Sequence, residues 1–379
     1  MDLSLDEEDD WFFESINAYE ALHVFQLEHS TKVIEWTGEK SICVAGYGSV
    51  KNEILELILP LKLFAGNCEG LCPERDFKVD HGGFSEEPIE CLKYIPGTRY
   101  VVTSGNLSSR LNIWDIGGDD SDVIKKMGFI DPVDTSARGS KMAPGLTEDP
   151  SILHGSQIKN VQLTDLTSRR VLHSVGTDSS EAVSGLQFLS PNVFLICASN
   201  GVLYVSDTRD PSTNRYTLRE EKSSSEWCFA LKMDQSPSDP TSCSVARLSS
   251  SGQVVISDFR DLAGIISCAK LNVKHNAHSN DSMTVTWAPA FDGAIAVSGF
   301  DGTVQIYNTN AWTKEFQVFE PIFAHCGHTM MGEEKTDNTS TVVTTHVWHP
   351  WRPKTVLSAA TDGSIHVWEW IDRSTSSSS

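Results

Sequence analysis

Few residues in this 379-residue chain have the type and spacing to do chemistry, and the densest group is His325, Cys326, His328, His346 and His349. Imidazole and thiolate are zinc ligands, so such a group could hold a metal. The spacing argues against it. His346 and His349 stand at i, i+3 on a strand running into a turn, which splays their side chains. Cys68 and Cys72 are separated by three residues, with no second pair. No metal and no other cofactor is expected. Gly46-Tyr47-Gly48-Ser49-Val50 has the outline of a kinase glycine-rich loop, but that chemistry also needs a lysine on the next strand, His-Arg-Asp and Asp-Phe-Gly. None is present, and Phe300-Asp301-Gly302 is in the wrong order. With no Gly-x-Ser-x-Gly elbow, His-Glu-x-x-His or Walker loop, no enzyme is expected. One pattern is sharper. Ser206-Asp207-Thr208-Arg209-Asp210 recurs as Ser257-Asp258-Phe259-Arg260-Asp261. Residues two apart lie on one side of a strand, so Asp207 with Arg209, and Asp258 with Arg260, can pair with each other or with a neighbour.

The element that must position these residues is a repeat. Residues 287–307 recur without a gap at 348–368: Trp287-Ala288-Pro289 falls on Trp348-His349-Pro350, Asp301-Gly302 on Asp362-Gly363, and Val304-Gln305-Ile306-Tyr307 on Ile365-His366-Val367-Trp368. Ser298 falls one place before the partner of Ala360. Each copy reads as two strands of period two around an Asp-Gly turn, the strongest short-range hairpin signal. Hairpins repeating at this spacing predict propeller blades.

The charge balance limits the partners. Thirty basic against 51 acidic residues give a formal −21, which repels nucleic acid and anionic membrane. No basic patch is evident, and Asp2, Asp6, Glu7, Glu8, Asp9 and Asp10 crowd the start, the opposite of a secretory n-region. No apolar run approaches the roughly 18 residues of a membrane span. Nine scattered cysteines suggest reduced thiols in a cytosolic or nuclear protein.

Along the chain, residues 1–20 read as an acidic arm and a short helix. Asp10 caps it, Glu14 lies in its first turn, and Phe12, Ile16 and Tyr19 share a face. Trp11 and Phe13 lie off that stripe, either packed on the main domain or exposed as a docking element. Residues 21–371 carry seven hairpin units, with polar insertions at about 117–150, 208–226 and 332–340, and residues 372–379 form a serine-rich tail. At about 40 to 45 residues per blade, seven fit one closed all-β domain. The seventh unit lacks an outer strand, whereas residues 22–27 lack a hairpin partner. Because an open edge on 365–368 would aggregate, the first strand is expected to close the ring on the last blade.

These residues resemble the WD-repeat family. Gly327-His328, Ser358, Asp362 and Trp368 stand in the order of that family's hydrogen-bonded tetrad; blade six keeps Ser298, Asp301 and Tyr307, with His278 as a possible histidine, and blade two keeps Ser104 and Trp114. The resemblance implies a seven-bladed propeller. It also ties the repeated Asp-x-Arg pattern to the boxes by which some members serve as substrate receptors of cullin-4 ubiquitin ligases, although those have Trp or Tyr where Ser206 and Ser257 stand. Segments such as Pro73-Glu74-Arg75-Asp76-Phe77 and Ser298-Gly299-Phe300-Asp301-Gly302 are similar to one member in particular. That similarity implies a cytoplasmic adaptor, with spindle poles and nucleus as further locations, that takes part in spindle and microtubule organisation. It also implies help in making the Integrator complex's RNA-cleaving module. The expected partners are therefore proteins, with the chain monomeric until bound. Candidate contacts are Trp11 and Phe13, the segment from Phe77 to Phe84, the loops of 117–150, and the pairs Asp207 with Arg209 and Asp258 with Arg260.

Overall fold

In the computed structural model the two repeats form antiparallel hairpins, Ala294–Ser298 with Val304–Asn308 and Thr355–Ala360 with Ser364–Trp370. The structure describes residues 17–48, 51–64, 74, 76–118, 121–132, 138–217, 225–233, 243–273, 282–330 and 340–371. Each hairpin is the middle pair of an antiparallel sheet, and there are seven such sheets. Their innermost strands are Ser30–Trp36, Ile89–Tyr94, Lys141–Pro144, Val183–Phe188, Trp227–Met233, Thr284–Trp287 and Val343–Trp348. Each touches the next and the last touches the first, so the sheets stand as blades one to seven round a closed ring.

A middle strand has another blade against each face, so its residues are buried on both sides. Thr355–Ala360 and Ala294–Ser298 are buried along their whole length, which explains their small and apolar composition. The cores lie between blades. Trp348, Trp368 and Trp370 pack on Ala294, Ala296, Val304 and Ile306 between blades six and seven. Leu357, Ile365 and Val367 pack on Ile34, Ile42 and Val44 between blades seven and one.

Ring closure follows the expected route. Tyr19–Gln26 is the outer strand of blade seven, antiparallel to Ser364–Trp370, with Leu22 opposite Trp368 and Val24 opposite His366. Gly363 makes the join possible: its φ is +90°, and a Cβ would lie 2.7 Å from the Leu27 carbonyl. In blade six the positive φ falls at Gly299 rather than at Gly302, so matching Asp-Gly pairs do not bend alike.

Three expectations change. The helix from Asp10 lies outside the described residues except for Asn17 and Ala18, and Tyr19, assigned to that helix, begins the closing strand. The stretch 117–150 is not a single loop: it supplies the outer strand of blade two, Lys125–Ile130, and the inner strand of blade three, Lys141–Pro144. Within 208–226, Asp210–Tyr216 is the outer strand of blade four. Outer strands face solvent, so their polar residues imitate loops; the four residues of Lys141–Pro144 are too few to show a period. Blade five gains a fifth strand, Val318–Phe319, parallel to Ser267–Leu271.

Candidate interaction site

Blade seven holds the most continuous buried polar chain among the described residues. Trp368 Nε1–H donates to Ser358 Oγ at 3.1 Å, and His328 Nε2 is 2.8 Å from the same hydroxyl. His328 Nδ1 is 2.7 Å from Ser364 Oγ, which donates to Asp362 Oδ1 at 2.7 Å. Counting donors places every proton. Asp362 can only accept, so the Ser364 hydroxyl turns to it and receives His328 Nδ1–H; His328 Nε2 then accepts from Ser358. The chain is complete with His328 neutral, and burial, followed by His366 and His325, holds its pKa well below the usual 6.5. His328, Ser358, Asp362 and Trp368 thus come together as expected, except that Asp362 reaches His328 through Ser364. Ser364, His366 and Trp368 alternate on one face of a strand, the signal that could have found this link.

A second chain runs into the first. Tyr19 Oη lies 2.7 Å from His325 Nδ1, and His325 Nε2 lies 2.9 Å from His366 Nδ1. His325 stacks on Trp368 at 4.6 Å and His328 on His366 at 3.8 Å between ring centres. Closing strand, blade six and blade seven therefore meet in one polar cluster. His325, His328 and His366 each present a nitrogen within 4.8 Å of the others, the separation a metal site would need. Both nitrogens of His325 and of His328 are taken, however, leaving only His366 Nε2 without a partner. A metal would have to break these chains, so the residues do not fit one. His346 and His349 face elsewhere: His346 bonds Thr286 and Ser298, and His349 Nδ1 accepts from the backbone of Trp351 and Arg352.

Blades six and two depart from the expected tetrads for one reason, strand parity. The residue equivalent to Ser358 in blade six is Val297, opposite Gln305; Ser298 is one place on and faces blade seven, where His346 Nδ1 lies at 2.7 Å. Tyr307 donates to Gln305 at 2.6 Å instead, and Asp301 accepts from Thr303. His278 lies outside the described residues. In blade two, Trp114 Nε1–H donates to Thr103 Oγ1 at 2.9 Å, while Ser104 donates to the Ser140 carbonyl. Thr103 therefore takes the place assigned to Ser104.

The two Asp-x-Arg pairs close on themselves. Arg209 makes a fork to Asp207 at 2.9 and 2.6 Å, and Arg260 one to Asp258 at 2.9 and 2.5 Å. The Arg209 fork holds the Asp207 carboxyl down at about 2. Each carboxylate is thus bonded within its own strand exit, and both arginine side chains remain more than half exposed. Among the other candidates, Trp11 and Phe13 lie outside the described residues. Phe77 is buried against Phe25 in the core between blades seven and one, which withdraws it from the surface. Phe84, 63 % exposed on the outer strand of blade one, remains open to contact.

The ring also encloses a cleft of about 420 Å³ lined by Glu90, Cys91, Lys141, Glu226 and Cys228. A nucleophilic cysteine needs a lowered pKa. Burial raises the thiol of Cys91 and pushes that of Cys228 up to about 12, so neither is activated.

No protein-family model matches the chain. Individual proteins do. It is 59 % identical over 375 residues to the Danio rerio protein named Integrator complex assembly factor WDR73, covering 99 % of this chain and 100 % of that one. Proteins of the same name from Xenopus laevis and Homo sapiens are 43 % and 39 % identical, covering 95 % and 97 % of this chain and 97 % and 99 % of theirs. The chain belongs to the WDR73 family. A WDR73-family propeller is a non-enzymatic scaffold: rigid blades hold variable loops and edges in fixed positions, and contact with other proteins is made on those surfaces.

Proposed function

We propose that this chain assists assembly of the Integrator complex by holding components of its RNA-cleaving module while they associate. Full-length identity of 39 to 59 % to proteins named as Integrator assembly factors carries the reading. A closed ring with buried tetrad chemistry and an acidic surface supports it, since such a body offers rigid protein-binding edges. A cytoplasmic working site and a part in spindle and microtubule organisation are proposed on the family resemblance alone, and the chain is taken to be a monomer until it binds.

The test is depletion and rescue. In cells depleted of the endogenous protein, native fractionation with quantitative mass spectrometry should show a severalfold fall in co-migration of the cleavage-module subunits. Re-expression of the intact chain should restore it. Unchanged co-migration after complete depletion sinks the proposal.

A further inference from the structure

Blades seven and two share one register. Ser358 stands opposite His366 and Val356 opposite Trp368; Thr103 stands opposite Asn112 and Val101 opposite Trp114. In both blades the indole donates to the hydroxyl on the adjacent strand. Asn112 therefore holds the position of His366. In blade seven that position is covered, because the single turn Gly327–Met330 lays the His328 ring flat on His366 and bonds it to Ser358 and Ser364. Blade two has no such segment. Only Glu86, Glu87 and Pro88 connect the outer strand of blade one, Lys78–Ser85, to the inner strand of blade two, Ile89–Tyr94.

Where the covering side chain would sit there is a cleft of about 500 Å³, lined by Glu86, Glu87, Arg110, Asn112, Lys126 and Asp131. Asn112 is 5 % exposed, and its Oδ1 has no hydrogen-bond partner. A buried amide oxygen in this state has lost its water and gained no donor, which native structures seldom tolerate. Two of the rim carboxylates have cations: Asp131 pairs with Arg110 at 2.9 Å and Glu86 with Lys126 at 3.4 Å. Among the described residues Glu87 accepts only from the Ser108 hydroxyl, at 3.3 Å, and has no cation. Among the described residues the cleft thus lacks one donor at its floor and one positive charge at its rim.

We propose that this cleft receives an arginine side chain presented by a protein partner, its guanidinium donating to Asn112 Oδ1 and pairing with Glu87. Arginine fits better than lysine because its planar fork reaches two acceptors at once and is weakly hydrated. The chain's net charge of −21 favours approach of a basic segment. The proposal deepens the scaffold reading and rests on it for the existence of a partner.

Its test needs no partner. N-acetyl-arginine methylamide is titrated into the full-length protein, with the side-chain amides of labelled asparagines and the Trp114 indole followed by NMR. Saturable shifts of Asn112 and Trp114 in the millimolar range are expected. The citrulline analogue, similar in shape but uncharged, should bind at least about tenfold more weakly, and so should arginine binding to Glu87→Gln, about 1.4 kcal/mol for each tenfold change. Asn112→Leu should remove the Trp114 response. Equal binding of citrulline, no saturation at high probe concentration, or a Glu87→Gln protein that binds like the parent overturns the proposal, and each leaves the depletion assay free to decide the scaffold reading separately.

Discussion

Ser358 and Ser364 carry the tetrad between them, and the donor count gives them different duties. Ser358 joins the indole of Trp368 to His328, whereas Ser364 relays His328 to Asp362. Ser358→Ala strands a buried indole N–H and a buried imidazole nitrogen, so it should cost about 2 to 4 kcal/mol in urea unfolding. Ser364→Ala should cost about 1 to 3 kcal/mol. If Asp362 bonded His328 directly, Ser364→Ala would be close to neutral, and that result would refute the relay. The order His328, Ser358, Asp362, Trp368 is legible in the sequence; the link is not, because a serine after Asp-Gly is equally a turn residue. Parity could have corrected Ser104 and Ser298, since the repeat alignment already places Ser298 one position off the equivalent of Ser358.

At the scale of the element, the decisive piece is the closing strand, Tyr19–Gln26. It covers an edge that includes His366, Trp368 and Trp370, and brings Tyr19 to His325. Removing residues 1–26 should leave Ser364–Trp370 unpaired, giving a protein that aggregates and shows no cooperative melt. Removing 1–16 spares the strand and should leave the melt cooperative. A peptide of residues 17–28 added in trans to the longer truncation should restore soluble, cooperative protein. Failure to rescue, with the longer truncation itself behaving like the parent, would mean that the ring does not depend on this strand. Closure was legible because one blade lacked a strand and one strand lacked a blade. The outer strands in 117–150 and 208–226 were not, because half-solvated edges carry lysines, arginines and threonines without a clean period.

For the whole molecule, six buried histidines among the described residues are kept neutral by burial. His154, His349 and His366 are lowered to about 4, His346 to about 3, and His325 and His328 lie well below 6.5. A histidine with a folded pKa below its unfolded one gives stability that is present above about pH 6.5 and lost as pH falls towards the folded value, at about 1.4 kcal/mol per group per pH unit. The melting temperature should therefore be flat from pH 8 to 7 and drop steeply between 6.5 and 5, with uptake of several protons on unfolding. A flat profile down to pH 5 would show that these side chains are not buried neutral together.

Composition, the 287–307 and 348–368 repeat and the Asp-Gly turns determined an all-β ring of seven units, since hairpins are local and their signals lie within some twenty residues of one another. Which face each side chain meets was decided only by the tertiary structure. A strand's alternation says that Ser298 and Trp368 point somewhere; the neighbouring blade, placed by contacts between residues hundreds of positions apart, settles whether that somewhere is a histidine, a tryptophan or an open cleft.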